Sequence, residues 1–105
     1  MFFINNAYIT VMNAQEVANA VHHFVSTQES KKFFKLLVTT AKEDGVREFL
    51  VRPILEQDFL PNADGGEIIH CVTDDDQKID LILPHPKERQ LFPAGVLTST
   101  ERTES

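Results

Sequence analysis

Two β-rich runs on either side of a short acidic segment constrain the fold of this chain more than any other feature. Residues 67–73 and 78–83 are rich in isoleucine, leucine and valine, and Asp74-Asp75-Asp76-Gln77 stands between them. Short aliphatic and β-branched runs that flank a polar turn are typical of paired strands. The sequence therefore predicts an antiparallel hairpin over residues 67–83.

A strand and a helix are predicted before this hairpin. Residues 2–11 are aromatic and β-branched, which favours a strand. Asn13 stands three residues before Glu16, the spacing at which the two side chains cap the free amides of a first helical turn. An apolar stripe with helical spacing follows: Val17, Val21, Phe24 and Val25. We expect this helix to begin near residue 14 and to pack on a core.

A second helix is predicted from about Thr27 to Lys42. The segment Ser26-Thr27-Gln28-Glu29 repeats the capping pattern, and Gly45 suits the left-handed residue that often ends a helix. Apolar residues recur at helical spacing between these points: Phe33, Phe34, Leu37, Val38 and Ala41. One long bent helix over residues 14–44 fits the same pattern, so the choice between one helix and two stays open.

The assembled elements predict a two-layer α+β domain. Residues 47–52 indicate an edge strand because Pro53 cannot donate a ladder hydrogen bond. The order is then one strand, two helices and three strands, with the helix pair on one face of a mainly antiparallel sheet. We expect a single compact domain over residues 1–97, followed by a flexible polar tail over residues 98–105.

Composition excludes several classes of protein. The chain has 105 residues and a formal net charge of -6, which argues against broad electrostatic capture of nucleic acid or of an anionic membrane. No apolar run approaches the roughly 20 residues that a membrane-spanning helix needs. The single cysteine, Cys71, has no internal disulfide partner, which is typical of a reducing compartment. We expect a cytoplasmic location.

Charge is distributed unevenly along the chain. Residues 31–52 contain six cations and three anions, whereas residues 54–80 contain one cation and eight anions. A bipolar surface of this kind can steer a charged partner or support self-association. Three lysines of the predicted second helix would form its basic face: Lys31, Lys35 and Lys42. That face is the basis for a nucleic-acid accessory function, which ranks below protein binding because no base-stacking residues are interleaved with the lysines.

Candidate catalytic residues are few. Asp76-Gln77-Lys78 has the carboxylate-x-lysine spacing of metal-dependent nucleases, with Asp58 or Asp64 as the upstream acid. A metal-dependent hydrolase that uses Asp64, Asp76 and Lys78 is therefore the alternative function. Cys71 and His70 are adjacent on a predicted strand and point to opposite faces, so we expect a buried thiol rather than a nucleophile. No metal site and no cofactor is predicted.

These observations together favour a small acidic accessory or regulatory protein that acts by binding a protein partner, without catalysis. An exposed apolar residue between prolines, such as Phe92, suits an anchor for a partner. The predicted contact surface joins the acidic turn to this segment, and its residues are Asp74, Asp75, Asp76, Leu91 and Phe92. A homodimer is left open, and no membrane association is expected.

Overall fold

The strands of this chain close into a barrel. The computed structural model describes residues 7–27, 32–39 and 45–98. Within them the strands are β1 (Ala7–Asn13), β2 (Phe34–Thr39), β3 (Arg47–Pro53), β4 (Glu67–Thr73), β5 (Lys78–Leu83) and β6 (Pro93–Thr98). Helix α1 (Ala14–Thr27) joins β1 to β2, and a short 3₁₀ helix (Pro86–Glu88) lies between β5 and β6.

All pairing between the described strands is antiparallel and follows chain order. Each strand pairs with the next, and β6 returns to pair with β1. The register at closure places Tyr8 opposite Val96 and Ile9 opposite Gly95, with an irregularity before Asn13. Because the sheet is closed, each described strand has a neighbour on both sides, and the barrel offers no edge to an additional strand.

Alternating side chains fill the interior of the barrel. In β4 the buried residues are Glu67, Ile69, Cys71 and Thr73. The facing strands contribute fully buried aliphatic residues: Leu36, Val38, Val51, Ile79, Leu81, Leu83 and Val96. The predicted hairpin over residues 67–83 is confirmed, since β4 and β5 pair from Glu67 opposite Leu83 to Val72 opposite Lys78.

Helix α1 packs on the core at one end of the barrel, which we call the helix end. The predicted cap is present: the Glu16 amide donates to Asn13 Oδ1 at 2.9 Å, and the Asn13 amide donates to Glu16 Oε1 at 3.1 Å. Val17, Val21 and Phe24 of the predicted stripe are buried. The helix start is also fixed to the segment before β6, because the Ala14 amide donates to the Phe92 carbonyl at 2.9 Å.

The predicted two-layer α+β fold is wrong, and so is the second helix. Residues 34–39 form β2, in which Leu36 and Val38 point into the barrel while Lys35 points outward. The phenylalanine, leucine and valine of this segment fit a helical period and a strand period equally well, and pairing with β1 and β3 decides between them. Lys35 therefore lies on a strand, whereas Lys31 and Lys42 lie outside the described residues.

Two further strands differ from expectation. The predicted strand at residues 47–52 is present as β3, but it pairs with both β2 and β4 and is not an edge. β6 was not predicted, because its start, Pro93-Ala94-Gly95, has the composition of a loop. Residues 2–6 of the predicted first strand and residues 99–105 of the predicted tail lie outside the described residues, while Thr98 ends β6.

Candidate functional site

Apolar residues line up across the outside of four neighbouring strands. Ile9 of β1 pairs with Gly95 of β6, Gly95 pairs with Ile82 of β5, and Ile82 pairs with Ile68 of β4. Each lies between two buried residues of its own strand, so its side-chain position faces outward. We call Ile9, Gly95, Ile82 and Ile68 the apolar row. Ile9 is 52% exposed and Ile68 is 39% exposed.

The apolar row has no role in the barrel core. The interior is filled by the inward residues of the same strands, and outward positions beside the row carry polar pairs such as His70 with Asp80, at 2.8 Å. At these outward positions Ile68 and Ile82 gain a cross-strand contact, while Ile9 and Ile68 at the two ends of the row stay exposed to water. Exposed apolar side chains aligned across neighbouring strands are a candidate site for binding another molecule.

Gly95 leaves the middle of the apolar row without a side chain. Its φ is not in the left-handed region. A Cβ built on it would lie 3.5 Å from the Ile82 Cβ, which is an ordinary van der Waals distance. Neither backbone conformation nor space therefore requires glycine here, although glycine weakens a strand interior. Gly95 therefore leaves the row without a side chain between Ile9 and Ile82, and the Ile82 side chain lies next to its backbone.

A groove adjoins the β4 end of the apolar row. It has a volume of about 270 Å³, and the apolar residues of its lining are Ile68, Ile82, Pro84 and the buried Leu83. The exposed carboxylates of Asp64 and Glu88 stand at its rim. We call this the row-end groove. It combines aliphatic surface with negative charge within a space smaller than the roughly 300 Å³ at which drug-sized ligand sites begin.

The walls of the row-end groove are held by local contacts. The loop before β4 turns at Gly65, whose φ of +87° favours glycine, and an added Cβ there would lie 2.3 Å from the His85 ring. His85 is in turn fixed because its Nδ1 accepts from the Lys87 amide at 3.1 Å. Asp64 Oδ1 accepts from the Gly66 amide at 3.0 Å, which positions this carboxylate at the rim.

The third carboxylate that lines the groove, Glu67, is neutralised from inside the protein. Arg89 Nη2 lies 3.3 Å from Glu67 Oε1, and Arg89 Nε donates to the Pro84 carbonyl at 3.0 Å. The backbone of Arg89 also accepts from the Gln15 amide at 2.8 Å, so the same residue joins the groove to α1. In the described part of the lining, Asp64 and Glu88 are therefore the carboxylates that no cationic side chain neutralises.

A second pocket, of about 260 Å³, lies on the outer side of β4 and β5 around His70. Gln57 clamps the His70 backbone, because Gln57 Oε1 accepts from the His70 amide at 2.8 Å and Nε2 donates to its carbonyl at 2.6 Å. Cys71 also lines this pocket, but burial, with a smaller contribution from Asp80, raises the pKa of its thiol to about 12. The predicted buried thiol is confirmed, and it is not a nucleophile near neutral pH.

The residues of the predicted contact surface lie at opposite ends of β5. Asp74, Asp75 and Asp76 form the turn before β5, whereas Leu91 and Phe92 follow β5 and the 3₁₀ helix. The six residues of β5 separate the two groups by roughly 20 Å. Leu91 and Phe92 are 75% and 52% exposed and directly precede β6 at the helix end. As partner-binding residues all five remain predictions.

The residues of the alternative functions are also separated. Asp64 lies before β4 at the helix end, while Asp76 and Lys78 lie at the far end of the hairpin. No group of three or more histidine, cysteine, aspartate or glutamate residues in the described segments is placed to hold a metal ion. Lys35, from the predicted basic face, pairs with Glu48 at 3.2 Å. In the same segments, no helix has the length and apolar character to cross a membrane.

Comparison with known proteins adds no relative: the chain matches no family model, no curated protein and no solved structure.

The apolar row could not be predicted from the sequence because its members are far apart in the chain. Only the barrel register brings Ile9 beside Gly95 and Ile82 beside Ile68. In the sequence, Gly95 follows Pro93 and Ala94, a composition typical of a loop.

Proposed function

We propose that this chain acts by binding a protein partner through the apolar row, without catalysis. The observation that supports this function is the outward alignment of Ile9, Gly95, Ile82 and Ile68 on adjacent strands. Exposed apolar surface is the usual source of affinity in such contacts, and one or two large side chains of the partner provide most of it. The exposed pair Leu91 and Phe92 directly precedes the strand that carries Gly95 and offers further apolar surface.

The manner of binding follows from the closed barrel. A partner cannot add a strand to a described sheet that has no edge, so it has to bind through side-chain packing on the row. The row crosses four of the six strands and therefore wraps about half of the barrel. A rigid flat partner would reach only part of it, with Gly95 and Ile82 at the centre.

Charge favours a heterologous partner with basic groups at the margin of its contact surface. Asp80 lies beside Ile82 on β5, and Asp64 and Glu88 stand at the β4 end of the row. An anionic membrane or nucleic acid would meet like charge here. A second copy of the chain, which carries a net charge of -6, would bring the same carboxylates together. We place this interaction in the cytoplasm, in accord with the single cysteine.

Site-specific photocrosslinking tests the proposal. Benzoylphenylalanine is placed at Ile9, on the row, or at Leu50, an exposed outward leucine of β3 away from the row. A protein adduct that forms from Ile9 and not from Leu50 is the expected result, and the adduct identifies the partner. Equal adducts from both positions, or an adduct from Leu50 alone, would overturn the assignment of the row.

Affinity for the purified partner then provides a quantitative check. Ile68 and Leu50 are matched strand residues, 39% and 38% exposed. Ile68→Lys is expected to weaken binding about tenfold or more, because it places a charge in the apolar contact. Leu50→Lys is expected to leave the Kd within about twofold. Equal effects of the two substitutions would contradict the proposed surface.

A further inference from the structure

We infer that the row-end groove receives a lysine or arginine side chain from the partner. This inference rests on the proposed function, because the groove shares Ile68 and Ile82 with the apolar row. It adds the chemistry by which the partner is selected. A basic side chain in the groove would set the position of the partner on the row, while apolar contact at Gly95 and Ile82 supplies affinity.

The shape of the groove matches the two parts of a basic side chain. Lysine and arginine bury an aliphatic stem against apolar surface and keep the charged group in water. The floor of Ile68, Ile82 and Pro84 provides the apolar surface, and the carboxylates of Asp64 and Glu88 lie at the open rim where a charged group would stay hydrated. A volume of about 270 Å³ suits one side chain rather than a complete small-molecule ligand.

The charge of the groove selects a cation. Among the described residues, its lining contains no lysine or arginine. Glu67 is neutralised by Arg89, and His85 Nδ1 is occupied by the Lys87 amide. Asp64 uses one carboxylate oxygen for the Gly66 amide and retains the other, and Glu88 is exposed. A neutral apolar side chain would reach the same floor but would gain no attraction from these carboxylates.

Titration of the isotope-labelled protein with blocked amino acids tests this inference. Binding is measured from the chemical shifts of the backbone amides. The probes are Nα-acetyl-arginine methylamide and its lysine counterpart. Matched neutral probes are the citrulline and norleucine derivatives, which have nearly the same shape and no charge. With the basic probes we expect saturable shifts of the Gly66, Ile68 and Ile82 amides. The neutral probes are expected to bind at least several-fold more weakly. Equal binding of neutral and basic probes, or no saturable shift at these amides, would overturn the inference.

Variants that each remove one negative charge show which carboxylates bind the basic probe. Asp64→Asn and Glu88→Gln are each expected to weaken the arginine probe about two- to fivefold, the range for one exposed ion pair. Asn keeps the acceptor for the Gly66 amide, so the loop is retained. Asp74→Asn removes the same charge at the other end of β5 and is expected to change binding less than 1.5-fold. An equal loss in Asp74→Asn would show a general effect of net charge instead.

The inference about the groove and the proposed function of the row can be disproved separately. Crosslinking from Ile9 reports on the row and does not depend on Asp64 or Glu88. If the basic probes do not bind and the adduct from Ile9 persists, the groove inference is wrong and the proposed function stands. If the probes saturate the groove and no adduct forms from Ile9, the proposed function fails while a cation-binding groove remains.

Discussion

Arg89 and Glu67 form an ion pair inside the helix end of the barrel, with 3.3 Å between Nη2 and Oε1 and less than one-tenth of either side chain exposed. Loss of one partner from such a pair leaves an uncompensated buried charge, which costs roughly 3–5 kcal/mol. Arg89→Met is therefore expected to lower the free energy of unfolding by about that amount, measured as a shift in the urea midpoint. The double variant Glu67→Leu/Arg89→Met is expected to recover most of the loss, and an equal loss in both variants would contradict this account.

The acidic turn contains one strained residue. Asp76 has a φ of 72°, and the turn around it is closed by its amide to the Thr73 carbonyl at 3.0 Å and by the Thr73 amide to the Gln77 carbonyl at 2.8 Å. This is the three-residue hairpin loop in which the left-handed position favours glycine. Asp76→Gly is expected to raise the free energy of unfolding by about 0.5–1 kcal/mol.

A charge control separates strain from repulsion at this turn. Asp76→Asn removes the same charge and keeps a side chain that tolerates the left-handed region. If Asn stabilises as much as Gly, relief of repulsion among the three aspartates explains the gain. If Asp76→Ala matches Gly, the conformational explanation is wrong, because alanine does not tolerate this conformation.

Substitution of Gly95 is expected to change stability and partner binding in opposite directions. Alanine fits at this position, since its Cβ would lie at an ordinary 3.5 Å from the Ile82 Cβ. Gly95→Ala is expected to raise the free energy of unfolding by about 0.5 kcal/mol, because glycine loses more chain entropy on folding. The same variant is expected to weaken partner binding, since it adds a methyl group at the centre of the apolar row where the partner packs. A more stable variant with unchanged affinity would contradict the role assigned to Gly95.

The Cys71 thiol predicts a loss of stability at alkaline pH. Burial raises its pKa from 9.0 to about 12, so the unfolded chain ionises first as pH rises. The unfolded state then binds fewer protons than the folded state. Between these two pKa values the free energy of unfolding therefore falls by up to about 1.4 kcal/mol per pH unit. Below pH 9 this contribution to stability is fully present. Cys71→Ala is expected to remove the slope due to this group, measured as the difference between the two proteins in urea titrations from pH 8 to about 11.

Local features of this chain were predictable and closure of the barrel was not. The hairpin over residues 67–83 and the cap formed by Asn13 and Glu16 depend on neighbours in the sequence, and both are present. Residues 34–39 carry no such local signal, since their side chains suit either period, and their strand state comes from pairing with β1 and β3. The apolar row depends entirely on this long-range register.

Pairing between β1 and β6 also sets the order in which the protein can be completed. β1 and β6 are the first and last described strands, so β1 has a free edge until residues 93–98 have left the ribosome. Until then the nascent chain exposes an edge that carries Ile9 and Val11, the kind of template on which chains aggregate. Closure of the barrel therefore has to wait for residues 93–98, and folding is expected to be slow, as non-local contacts require. A chain truncated before Pro93 would keep this edge permanently and should accumulate as aggregate rather than as a smaller stable domain.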